Sequence, residues 1–147
     1  MSSPIVIGSK PLLGPLAGLS LWTFAIVGLL YWRRTPALAK YNIDFDPEKV
    51  KQEKATKLPA FVQWPADNFN NLLEQPTQFY AAVLALTLLN VNDKATTRMA
   101  WGYVGLRVIH SLIRVSVNKV TVRFGVWVSS SFVLLGITAR LAQELWM

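Results

Sequence analysis

Tyr103, Arg107, His110 and Arg114 follow one another at intervals of 4, 3 and 4 residues. At 100° per residue this spacing gathers them into a stripe about 60° wide on one helical face. A preceding segment repeats the intervals with Asp67, Asn71, Glu74 and Gln78. One stripe is cationic and carries the chain's single imidazole, while the other is acidic and amide-bearing. Arg107, Arg114 and a third arginine, Arg123, outnumber Glu74, so the set has spare positive charge. A carboxylate ligand or a lipid headgroup would satisfy it, because the planar guanidinium fork binds such anions bidentately. The structural alternative is a Glu74–Arg107 ion pair that sets helix register, with His110 and Arg114 reaching toward headgroup phosphates. Glu74 and His110 inside a span would also suit a proton path, though a single His makes a thin relay.

What else could these residues do? The chain has no Cys, which removes disulfides, thiolate metal sites and a cysteine nucleophile together. One His excludes a multi-histidine metal site within one chain, and no metal is expected. The 147 residues suffice for one domain, 1–147. They are 52% hydrophobic and only 16% charged, against about 25% charged for an ordinary soluble domain. Fifteen basic residues against eight acidic ones would suit nucleic acid or a membrane. No nucleic-acid recognition motif appears, and no nucleic-acid partner is expected.

The elements that must position the stripes read as membrane-spanning helices. Pro11 to Trp32 is a charge-free run of 22 residues, enough to cross a hydrocarbon core of about 30 Å. Ala37, Leu38 and Ala39 mimic a signal-peptide cleavage site. The run is longer than a signal core, however, and its basic pair, Arg33 and Arg34, follows rather than precedes it. Gln75 to Asn92 is a second charge-free run, whose helix should start near Ala66 or Asp67, after Pro65 closes the loop and with Asp67 as a possible N-cap. Pro76 should kink that helix or sit in its early turns. Two further apolar stretches cover Ala95–Val117 and Thr121–Ala142. The expected fold is an all-α membrane protein, a four transmembrane helix up-down bundle with helices about 11–32, 66–92, 95–117 and 121–142. The short connections Val91–Lys94 and Ser116–Val120 favour antiparallel hairpins.

The connection 33–65 holds seven basic and four acidic residues and reads as a solvated linker, with a short helix through Pro47–Thr56. Lys119 and Arg123 add charge on its side, while Lys10, Lys94, Arg98 and Arg140 fall opposite. The positive-inside rule then places loop 33–65 in the cytoplasm and both termini outside, as in an integral, multi-pass membrane protein. Glu74, Arg107, His110, Arg114 and Arg123 all fall in the inner half of the bilayer.

Asn71, Glu74 and Pro76 opening the second helix, Arg107 and His110 on the third, and Arg123 beyond them resemble the MAPEG family, membrane-associated proteins in eicosanoid and glutathione metabolism. The resemblance spans about Trp64 to Leu141 and is nearest the small bacterial members. It implies a MAPEG-like homotrimer of four-helix subunits with glutathione as co-substrate. It also implies a microsomal glutathione transferase-like activity, transferase or peroxidase, on lipophilic electrophiles. Its partners would be further copies of itself, membrane lipid, glutathione and a lipophilic substrate. By the same resemblance Asn71, Glu74, Arg107 and His110 bind glutathione. Arg114, on the stripe of Arg107 and His110, adds to that set, and Arg123 is catalytic, stabilising the thiolate. The stretch Asp67–Asn70 departs from catalytic members, which carry Arg or His there, and Arg114 stands where they carry Tyr. A non-catalytic MAPEG-like scaffold, a lipid-binding protein or an accessory subunit of a membrane complex is the alternative.

Overall fold

The computed structural model describes residues 10–146, which form six helices and no strand. They are α1 (Leu13–Lys40), α2 (Val50–Lys57), α3 (Ala60–Glu74), α4 (Pro76–Leu88), α5 (Lys94–Ser116) and α6 (Val120–Trp146). Among the described residues, α1 and α6 are long and apolar enough to cross a membrane. α5 has the length, at 23 residues, but carries Lys94, Arg98, Arg107 and Arg114.

α5 packs along α6 and against α1 and α3, and α4 lies on α1 and α6. The shared core follows helical spacing: Leu12, Leu19 and Ile26 at the start of and along α1, and Phe79, Val83 and Leu86 along α4, meet Tyr103, Val104, Leu134 and Ile137. Large apolar residues such as Leu21, Phe24, Phe132 and Leu135 point outward. An outer surface of this kind fits hydrocarbon better than water. On α1, Gly14 and Gly18 make a groove filled by the indole of Trp101. A Cβ added at either glycine would meet that ring at 3.3 or 3.2 Å.

Three boundaries differ from expectation. The expected second helix is divided: α3 ends at Glu74, Gln75 forms the join, and Pro76 takes the first position of α4, where its missing N–H costs nothing. The first part begins at Ala60, not Ala66, so Pro65 lies inside α3 and Asp67 is not an N-cap. A proline inside a helix leaves the carbonyl four residues earlier without its usual donor. Here that carbonyl belongs to Phe61, and Arg33 Nη1 donates to it at 3.3 Å. The same nitrogen donates to Val115 O at 3.0 Å, a carbonyl in the last turn of α5.

The third difference is that 33–65 is not a linker. α1 runs on to Lys40 through Pro36, and Ala37, Ile43, Leu58 and Val62 are buried together in a second apolar cluster. Arg34 Nη2 donates to Gln63 Oε1 at 2.7 Å, and Gln63 Nε2 donates to Lys54 O at 2.9 Å. Two side-chain bonds thus join α1, α2 and α3. α2 itself carries an i,i+4 pair, Glu53–Lys57 at 2.8 Å. That pair and the Asp44 N–H hold the Glu53 carboxyl below its ordinary range.

Asn42, Asn90 and Asn118 adopt the left-handed region after α1, α4 and α5, with φ of 46°, 57° and 48°. Asparagine tolerates this conformation and so ends helices much as glycine does. After Asn42 and Asn90 the next N–H bonds back five residues, Ile43 to Leu38 O and Val91 to Leu86 O, with Ile43 and Val91 buried. At the start of α5 the Asp93 carboxylate accepts from the Thr96 N–H at 2.8 Å and from its hydroxyl at 2.7 Å. These bonds hold the Asp93 carboxyl below its ordinary range.

Candidate functional site

The two stripes meet at the seam between α3 and α5. Tyr103, Arg107 and His110 are buried, and Arg114 is partly buried at the end of the row. Arg107 Nε donates to the Tyr103 hydroxyl at 3.0 Å, and its Nη1 donates to Asn71 Oδ1 at 3.3 Å. The Tyr103 ring is in turn stacked on Phe79 at 4.5 Å. Spacing of one helical turn makes the Tyr103–Arg107 contact possible, and antiparallel packing brings Asn71 to meet it.

Glu74 takes a different place from the one suggested by an ion pair with Arg107. Among the described residues it makes no ion pair and stands exposed, its carboxylate accepting a hydrogen bond only from Asn71 Nδ2 at 3.5 Å. Asn71 therefore lies between Glu74 and Arg107. The acid that does engage an arginine is Asp67, whose carboxylate is 3.6 Å from Arg114 Nη2. Gln78 is exposed beyond the seam.

Past Arg114 the start of α6 supplies a second wall. Asn71, His110, Arg114, Arg123, Phe124 and Trp127 line a cavity of about 180 Å³. Four of the six residues that the family resemblance assigns to glutathione thus share one cavity. Arg107 is behind it, bonded to Asn71, and Glu74 is at its edge through the same amide. Sequence reading missed the aromatic wall and also Asn118, whose Oδ1 accepts from Arg123 Nη1. An asparagine in a five-residue connection was the available signal, since left-handed helix caps favour it.

Electrostatically the cavity is a cationic pocket, with Arg114 and Arg123 beside the His110 imidazole and the Asn71 amide. His110 Nδ1, Arg107 Nη2 and Arg114 Nε are buried without a hydrogen-bond partner among the described residues. Such a group costs about 1–3 kcal/mol, which a polar ligand reaching it would offset. The donor set fits an anion with further acceptors. Its volume is below the roughly 300–1,000 Å³ of pockets that enclose a small molecule, so one chain encloses only part of a tripeptide-sized ligand.

No curated protein and no solved structure gives a significant match to this chain. The model of the MAPEG family matches residues 12–143, which takes in the core helices and every residue of the cavity. The chain belongs to the MAPEG family.

Proposed function

We propose that the protein is a multi-pass membrane enzyme that binds glutathione and transfers it to lipophilic electrophiles, as small bacterial-type members of its family would. The observation that carries this reading is the cavity in which Arg114, Arg123 and His110 converge beside Asn71. In the proposed complex Asn71, Glu74, Arg107, His110 and Arg114 hold the tripeptide. Arg123 faces its sulfur. A free thiol has a pKa of about 8.5 and reacts as the thiolate, so each unit of depression needs about 1.4 kcal/mol of preferential stabilisation. A guanidinium fixed by Asn118 in a partly desolvated pocket can supply it. The sulfur then attacks the electrophilic carbon, the leaving group departs with its bonding pair, and the thiol proton has already passed to solvent.

The reading includes a homotrimer. An incomplete cavity and an exposed Glu74 suit a site finished by a neighbouring copy. Four spans, with α3–α4 acting as one, would put the α2 side in the cytoplasm and both termini outside.

Purified protein in detergent should conjugate glutathione to a chloronitrobenzene above background and develop thiolate absorbance that Arg123→Ala removes. Absence of both would end the enzyme reading. A second reading, a non-catalytic MAPEG-like scaffold or accessory subunit, draws support from Asp67, which engages Arg114 within the family site. Calorimetry that finds no glutathione binding up to millimolar concentration would favour it.

A further inference from the structure

On the other side of Asp67 from the cavity just described, the last two turns of α1, the body of α2 and the first three turns of α3 border a second cavity of about 420 Å³. Arg34, Lys51, Lys54, Gln63, Asp67 and Asn70 line it. The charges around it are sorted in an informative way. Of the basic residues on and beside α2, Lys49 is paired with Asp46 and Lys57 with Glu53. Arg34, Lys51 and Lys54 make no ion pair among the described residues, and these three line the cavity. Its single acid, Asp67, is engaged by Arg114. The cavity thus has three uncompensated cations and amide donors at Gln63 and Asn70.

Arg34 is also held ready. Its Nη2 bonds Gln63, which is itself bonded to the α2 backbone, and its Nε is buried without a partner among the described residues. Height along the molecule identifies the occupant. Arg34 comes two residues after the apolar run of α1 and its exposed pair Tyr31 and Trp32, 63% and 76% accessible. Aromatic residues of this kind mark the headgroup level of a bilayer. An anion at Arg34 lies where lipid phosphates lie.

We propose that this cavity binds the phosphate headgroup of an anionic phospholipid from the leaflet nearest α2, held by Arg34, Lys51 and Lys54. The site is separate from the one assigned to glutathione and does not depend on that assignment. Bound there, the lipid would neutralise cations that otherwise repel one another across the junction of α1, α2 and α3.

The test uses full-length protein, delipidated in neutral detergent, with native mass spectrometry to follow added phosphatidylglycerol or phosphatidylcholine. The expected result is retained phosphatidylglycerol and little phosphatidylcholine. Lys51→Gln with Lys54→Gln should weaken phosphatidylglycerol about thirtyfold, and Lys51→Gln alone, at an exposed position, about fivefold. Lys49→Gln with Lys57→Gln removes the same charge outside the cavity and should leave affinity within about threefold. Circular dichroism of each variant in neutral detergent checks the fold. Equal losses in both double variants would reduce the effect to diffuse surface charge and overturn the proposal. So would equal retention of the two lipids, or saturation by soluble glycerol phosphate at concentrations like those of the lipid.

Discussion

Asn71 and Arg107 meet across the α3–α5 seam, the amide oxygen accepting from Nη1 at 3.3 Å while the Asn71 amide nitrogen turns toward Glu74. Arg107 is fully buried and already has one nitrogen, Nη2, without a partner. Asn71→Ala would leave a second one, at a cost of about 1–3 kcal/mol. Tyr103→Phe should cost a similar amount, by stranding Nε. Unfolding titrations in mixed micelles will measure both, and the double variant should be less than additive because the two act on one guanidinium.

Asp67 competes with any ligand carboxylate for Arg114. Removing its charge with Asp67→Asn frees the guanidinium without changing side-chain size. A partly exposed pair is worth at most about 1 kcal/mol, so glutathione should bind about threefold to fivefold more tightly. Calorimetric titration of the two proteins side by side decides this, and unchanged affinity would remove Arg114 from the binding set.

Asn118 has two tasks that can be separated. Its φ of 48° turns the chain between α5 and α6, and its side chain holds Arg123. Asn118→Gly keeps the turn, since glycine prefers that region, but releases the arginine. The expected outcome is an intact fold with weaker thiolate absorbance in the presence of glutathione. A fold lost along with the signal would assign Asn118 a structural role only.

Gly14 and Gly18 leave room for Trp101. A methyl group at Gly18 would sit 3.2 Å from the indole and needs a shift of a few tenths of an ångström. Gly18→Leu cannot be accommodated so easily, and about 1–3 kcal/mol of overpacking is expected. Pairing it with Trp101→Ala should restore part of the loss in the thermal midpoint.

Asp93 makes one end of the molecule acid-sensitive. A carboxyl held below its ordinary range contributes stability that is complete above its unfolded value of about 3.9 and disappears as pH falls through the lower folded value. Asp93→Ala should therefore cost about 1 kcal/mol near neutrality, as the loss of a helix cap does, and less below the folded value, where the neutral carboxyl keeps only its weaker acceptor role. The gap between the thermal midpoints of the two proteins should narrow across the acid range.

The helices and their chemistry-bearing faces were legible because they rest on local period. Tyr103, Arg107 and His110 needed only the 3.6-residue repeat to be placed on one face. The ends of the elements were harder to read, since they depend on partners distant in sequence. Pro65 reads as a loop boundary, yet α3 runs through it because Arg33, 32 residues away, serves the carbonyl that proline leaves open. Likewise no spacing rule distinguishes Asp67 from Glu74 as the acid that meets an arginine. That choice depends on the antiparallel alignment of α3 against α5, where Asp67 falls level with Arg114 and Glu74 falls past Asn71.

Arg33 ties three elements at one rim: its own helix, the proline turn of α3 and the last turn of α5. Those three are bound to one another there, like staves under one hoop. The cavity wall formed by Arg123, Phe124 and Trp127 belongs to α6, outside the hoop. Of the two walls of the site, the hoop fixes the one built on α3 and α5, and the α6 wall is held separately, by its packing along α5.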